Sequence, residues 1–134
     1  MFNLSQFFPK GYKPTDLELF NANIWILRNN EVWLDYEAET GNKCTWFLTS
    51  GFRTREHNLK VGGAKNSFHC IAMAGDILDK QGQPQGTWLI GKGRGYLQLK
   101  QISVEDIKHT KGSNGNWVHT DIATRGGEYK IFTP

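Results

Sequence analysis

Cysteine, long apolar runs, repeats and charge of one sign are all scarce in this sequence, and each scarcity removes a class of protein. Two cysteines, Cys44 and Cys70, cannot build a disulfide framework. The fold must rest on a buried core, with both thiols expected reduced and partly buried. No stretch approaches the roughly 18 apolar residues of a spanning helix, so no membrane partner is expected. The first residues, MFNLSQFFPK, lack the basic start, apolar stretch and cleavage site of a secretory signal. No repeat, low-complexity segment or linker divides the 134 residues, so one domain over 1–134 is expected. The 16 Lys and Arg against 13 Asp and Glu leave a net charge of +3, scattered rather than bunched. A nucleic-acid footprint is therefore poorly supported, whereas weak attraction to a polyanionic surface such as a cell wall fits.

What is present reads as an α+β chain. Phe2, Phe7 and Phe8 are apolar anchors in a polar lead-in. Thr15 offers an N-cap, and Asp16 and Glu18 suit the positive end of a helix. Leu17, Phe20, Ile24, Leu27 and Leu34 then recur at mostly three- and four-residue steps, which predicts an amphipathic helix from about Thr15 to Glu37. Thr45–Thr49 is a short buried strand and Thr54–Lys60 a short helix stopped by Gly62-Gly63. Cys70–Leu78 reads as a strand with Ala72, Ala74 and Asp76 on one face. Residues 87–99, interrupted by Gly91-Lys92-Gly93-Arg94-Gly95, form a hairpin or a broken helix. That glycine run lacks the Lys-Ser/Thr ending of a phosphate-binding loop and reads as a basic surface turn. Gln101–Glu105 alternates as a strand, though Ser103 could instead open a helix. His109–Asn116 is a polar loop, Trp117–Ile122 a strand and Tyr129–Phe132 a closing strand.

Three side chains stand out as metal ligands: His69, Asp76 and His119. Two imidazoles and a carboxylate form a common catalytic zinc set that leaves a fourth position for water or substrate. On an ideal strand, positions 69 and 76 point to opposite faces, so His69 must sit in the incoming loop or the strand must carry a bulge. His119 shares its strand face with Trp117 and Asp121, while Val118 and Ile122 face the other way.

The stretch Ser50-Gly51-Phe52-Arg53-Thr54, Asn58, Val61-Gly62-Gly63, Ser67-x-His69 and Ala74-x-Asp76, followed by Trp117-x-His119-x-Asp121, resembles the zinc D-alanyl-D-alanine carboxypeptidase family. That family includes D-Ala-D-Ala dipeptidases and phage L-alanyl-D-glutamate endolysins, and the hedgehog signalling domain is related in fold. The resemblance covers about residues 45–125, with Ala72 standing where the family usually has Gly. It implies a small antiparallel sheet with an N-terminal helix, zinc held by His69, Asp76 and His119, and Arg53 facing the substrate. Ser67 would hold the substrate or the His69 loop. Several members place an acid three residues before the last histidine; here that position is Asn116. Glu105 and Asp121 remain as the general base, with Asp121 alternatively orienting a ligand or Arg125. His57 and His109 read as solvated, and the Cys70 side chain points away from the ligands.

The expectation is a zinc metallopeptidase, monomeric, that cleaves peptidoglycan stem peptides as a carboxypeptidase or endopeptidase. The setting expected is a phage endolysin or virion-associated lysin, made in the host cytoplasm and acting on the wall after release. The alternatives are a catalytically inactive metal-binding or interaction module on the same fold and, third, a nucleic-acid binder.

Overall fold

Thr15 starts the longest helix through a reciprocal cap: its hydroxyl accepts from the Glu18 N–H at 3.2 Å, and its own N–H donates to the Glu18 carboxylate at 3.0 Å. In the computed structural model, which describes residues 1–80, 84–108 and 117–134 (backbone alone at 84 and 85), this helix α1 spans Asp16–Thr40. It carries two apolar rows at alternating three- and four-residue steps. The row read from the sequence is the outer one: Leu17, Phe20, Leu27 and Leu34 are exposed. The buried row is Ala22, Trp25, Asn29, Val32 and Tyr36. Periodicity does not separate two such rows. The one that packs carries the bulk of Trp25 and Tyr36 beside a small Ala22, and polar groups that find partners inside.

β1 (Trp46–Ser50), β2 (Ala74–Asp79), β3 (Ser103–Glu105), β4 (Trp117–Asp121) and β5 (Ile131–Phe132) form one sheet in the order β1-β2-β4-β3-β5. The pairs β1–β2, β2–β4 and β3–β4 are antiparallel, as the resemblance implies, while β5 joins β3 in parallel. Of the expected strand Gln101–Glu105 only Ser103–Glu105 forms, since Gln101 caps α4 in the left-handed region. It is a strand rather than a helix because β3 has pairing partners on both sides. Between β2 and β3 the chain forms the broken helix: α3 (Pro84–Ile90), a 3-10 turn at Lys92–Gly95, and α4 (Tyr96–Lys100). Arg55–Lys60 forms the short helix α2. His109 and Asn116 lie outside the described residues.

Two further expected strands are shorter than their composition suggests: of Tyr129–Phe132 only Ile131–Phe132 forms a strand, and Cys70–Leu78 loses its first part. Phe68–Ile71 is a 3-10 turn, not the first part of a strand, and Ala72 follows it in the left-handed region with φ 59°. The turn closes through Ala72 N–H and Met73 N–H donating to the carbonyls of His69 and Phe68. β2 therefore begins only at Ala74.

α1 packs on one face of the sheet. The Trp25 indole N–H donates to the Thr120 carbonyl at 3.1 Å and lies 3.0 Å from the Thr120 hydroxyl. That hydroxyl donates in turn to Asn29. The ring lies so close to β2 that a Cβ on Gly75 would sit 2.4 Å from it. Phe2 and Phe7 close the other side of Trp25, with ring centroids at 5.3 and 5.4 Å. Trp25→Ala should therefore lower stability by about 3–5 kcal/mol, and Gly75→Ala, which leaves every polar partner in place, by about 1–3 kcal/mol. Urea denaturation of each variant checks both figures.

Candidate metal centre

Alternation along β4 divides its side chains between two tasks. Val118 and Thr120 face α1, and His119 faces the opposite side of the sheet together with Trp117 and Asp121. In the β2–β4 register His119 lies opposite Asp76, and Ala74 opposite Asp121. Two candidate ligands thus sit side by side on adjacent strands, over a cleft of about 650 Å³.

The third candidate ligand, His69, arrives by the loop route. Thr54 caps α2 by accepting from the His57 N–H at 3.1 Å. After the helix, Asn58 donates to the Ala64 carbonyl and its own carbonyl accepts from Gly63. Only glycine fits at 63, since a Cβ would lie 2.0 Å from the Asn58 side-chain oxygen. The chain returns to Ser67, whose hydroxyl accepts from the His69 N–H at 3.3 Å and caps the 3-10 turn. His69, 2% exposed, donates from Nδ1 to the Gly51 carbonyl at 2.6 Å, which leaves Nε2 as a bare donor atom aimed inward.

His69 Nε2 and His119 Nδ1 lie 3.2 and 3.0 Å from Asp76 Oδ1, and 3.2 Å from each other. Metal–ligand bonds of about 2.0–2.1 Å in a tetrahedron require ligand atoms about 3.3 Å apart. The spacing and the N, N, O donor set fit a zinc-sized divalent ion. The His119 ring is oriented from behind: Nε2 lies 3.2 Å from Asp121 Oδ2, a carboxylate that must accept its proton.

Two arginines lock the carboxylates. Arg53 bonds Asp76 Oδ2 through Nη2 and Ser50 Oγ through Nε, at 2.9 Å for the latter. The position facing substrate on the resemblance is thus also the anchor of a ligand. Arg125 grips both oxygens of Asp121, at 2.9 and 2.8 Å, and its guanidinium lies 3.4 Å over the Phe132 ring. The sequence offers Arg125 only as a group that Asp121 would orient. Its placement beyond the end of β4 carries no periodic signal.

Glu105, at the end of β3, lines the cleft with His119. The register Ser103↔Asp121 and Val104↔Thr120 puts it on the same face, one rung further. Asp121 is fully buried, and its oxygens are held by Arg125, His119 and the Ala123 N–H at 3.1 Å. His57 is exposed on α2 and borders a smaller hollow with Phe8 and Arg53. Cys70 is half-buried and Cys44 buried, both as free thiols, and burial pushes the Cys44 thiol up to about 12.

Burial alone would raise the Asp76 carboxyl, but its hydrogen bonds to His119 and His69 outweigh it and hold the group well below the usual range. Asp121 is lowered in the same way against its burial, by Arg125 and then His119. Burial lowers His119, yet the bonds to Asp121 and Asp76 prevail and push it up to about 9. The two carboxylates thus favour the protonated form of His119, and a metal would compete with that proton.

Two outcomes follow for metal binding. The raised His119 pKa means that the stability from its protonated form is complete below the ordinary 6.5 and is lost as pH rises through about 9. Metal must displace that proton, so apparent affinity should climb roughly tenfold per pH unit and level off near pH 9, measured by calorimetric titration. Asp121→Asn and Arg125→Met, which leave all three ligands in place, should each weaken metal binding by about 10- to 100-fold in the same titration.

A comparison with curated proteins finds no significant match. Residues 19–121 match the family described as Peptidase M15. That span runs from the second turn of α1 to the end of β4 and contains all three ligands. M15 peptidases are zinc-dependent, in keeping with the His69–Asp76–His119 group. The chain belongs to the peptidase M15 family of metallopeptidases.

Proposed function

We propose that this M15 peptidase hydrolyses peptide bonds in peptidoglycan stems, with zinc as its metal, in the role of a phage endolysin or virion-associated lysin. The observation that carries the catalytic part is the convergence of His69 Nε2, Asp76 Oδ1 and His119 Nδ1 in an open cleft that Glu105 also lines. The wall substrate is supported by the resemblance of residues 45–125 to stem-peptide hydrolases, and by a net charge of +3 that favours a polyanionic polymer.

When bound, the metal polarises the scissile carbonyl and lowers the pKa of water towards neutrality. The chain's own residues do the rest. Gly51 and Asp121 set the tautomers of His69 and His119, so that each presents a bare nitrogen. Arg53 keeps Asp76 turned with one oxygen inward, and as a fixed cation lining the cleft it favours negative charge that develops on the substrate. Glu105 takes a proton from the attacking water and returns it to the leaving amine. Asp121 is assigned the orienting role instead, because it is fully buried behind His119 and bonded to Arg125, whereas Glu105 lines the cleft.

Glu105→Gln should lower kcat on purified peptidoglycan by about 10²- to 10⁴-fold while zinc affinity stays near wild type. Mass spectrometry of digested wall fragments, with and without added zinc, reads both the loss and the bond cut. Full activity in Glu105→Gln would sink the base assignment. No new amine from the wild type with zinc would favour a metal-binding module without hydrolytic activity.

A further inference from the structure

Apart from Ile24, which is half-buried against the core, the outer row of α1 serves neither the core nor the cleft. Leu17, Phe20, Ile24, Leu27 and Leu34 advance in steps of three, four, three and seven, with Glu31 filling the last gap to keep the alternation. This is the 3.5-residue spacing of a seam that meets another helix. Four of the five apolar side chains are between 53% and 66% exposed, and Ile24 is half-buried. A scattered exposed leucine needs no explanation, but an apolar row broken only at Glu31 along a 25-residue helix marks a contact surface.

We infer that this row is the interface of a homodimer, in place of the monomer expected from the sequence, with α1 packed antiparallel against α1 of a second copy. Three observations select this occupant. The seam is self-complementary about a point between Trp25 and Ile26: an antiparallel mate puts Leu17 against Leu34 and Ile24 against Leu27, so one surface suffices for a two-fold contact. Glu31 decides the direction. A parallel pair would bury two Glu31 carboxylates in one layer, whereas the antiparallel pair sets each beside Phe20 of the mate, near Lys100, whose Nζ lies 3.9 Å from Glu31 in its own chain. The area also suffices, since five such side chains expose roughly 500 Å² per copy, about 1,000 Å² for the pair, the lower bound for a specific interface.

The acidic helix disfavours an anionic lipid surface as the occupant, because α1 carries Asp16, Glu18, Glu31, Asp35, Glu37 and Glu39 against Arg28 alone. The dimer also leaves catalysis unobstructed. α1 lies on the sheet face opposite Asp76 and His119, so two clefts open outward on opposite sides. A two-headed hydrolase gains residence on a polymer, since release of one site leaves the other attached.

Sedimentation equilibrium of the full chain tests this. The wild type, of 15.3 kDa, should show twice that mass at roughly 0.1 mM, where an interface with a Kd of about 10 μM is mostly paired. Leu27→Glu should weaken pairing at least about tenfold while circular dichroism and metal binding stay unchanged, because the site is exposed. A mixture of Leu17→Cys and Leu34→Cys proteins should crosslink on oxidation, and Leu34→Cys alone should not. A monomeric mass at that concentration, or a dimer undiminished in Leu27→Glu, overturns the proposal. Self-crosslinking of Leu34→Cys alone overturns the antiparallel register. A monomer that sediments with phosphatidylglycerol vesicles, and loses this in Leu27→Glu, assigns the row to lipid instead.

Discussion

The carboxylate of Asp76 is the point at which the separate parts of the chain meet. It is 6% exposed and charged, and a buried anion persists only where its oxygens are paired. Oδ1 takes His69 and His119, and Oδ2 takes Arg53. Each partner comes from a different element: the turn after the Gly62-Gly63 loop, β4, and the end of β1. A shift in any of them leaves a buried charge unmatched, so the requirement to satisfy one side chain constrains three segments at once. The same requirement gathers two nitrogens and an oxygen at tetrahedral spacing.

That geometry is inseparable from the core beneath it. β4 presents Thr120 to Trp25 and Asn29 on one face and His119 to Asp76 on the other. A slip of one residue would exchange the two faces, placing imidazole against the indole and threonine in the cleft. The polar anchors under α1, rather than apolar area alone, keep the register. Behind His119, the line Arg125–Asp121–His119 extends the constraint to the far side of the cleft, where Phe132 covers the guanidinium. Ala72 sits between the His69 turn and β2 with φ 59°, a conformation glycine adopts more readily, which accounts for glycine being usual at this point of the motif.

Much of this was legible in residue order. The cap at Thr15, the short helix after Thr54, the strand at Thr45–Thr49 and the one beginning at Trp117 all depend on residues a few positions apart, and they form where expected. The parity of 69 against 76 required a loop or a bulge, and the turn at Phe68–Ile71 supplies the loop. The three side chains that could hold a metal stood out in the sequence because they sit in a dense motif, and the fold brings them together.

What residue order by itself determined, then, was local: where helices start, which side chains share a strand face, and which three residues have the chemistry to hold a metal. The tertiary structure decided what depends on partners distant in sequence. α1 offers two apolar rows of equal period, and only the assembled sheet, with Gly75 opening a space and Thr120 offering a hydrogen bond, selects the row containing Trp25. Arg53 became an anchor of Asp76, 23 positions away, and Arg125 the clamp of Asp121. Periodicity and capping are short-range effects written into neighbouring residues. Burial of charge is long-range, and its partners exist only once the sheet has brought the strands together.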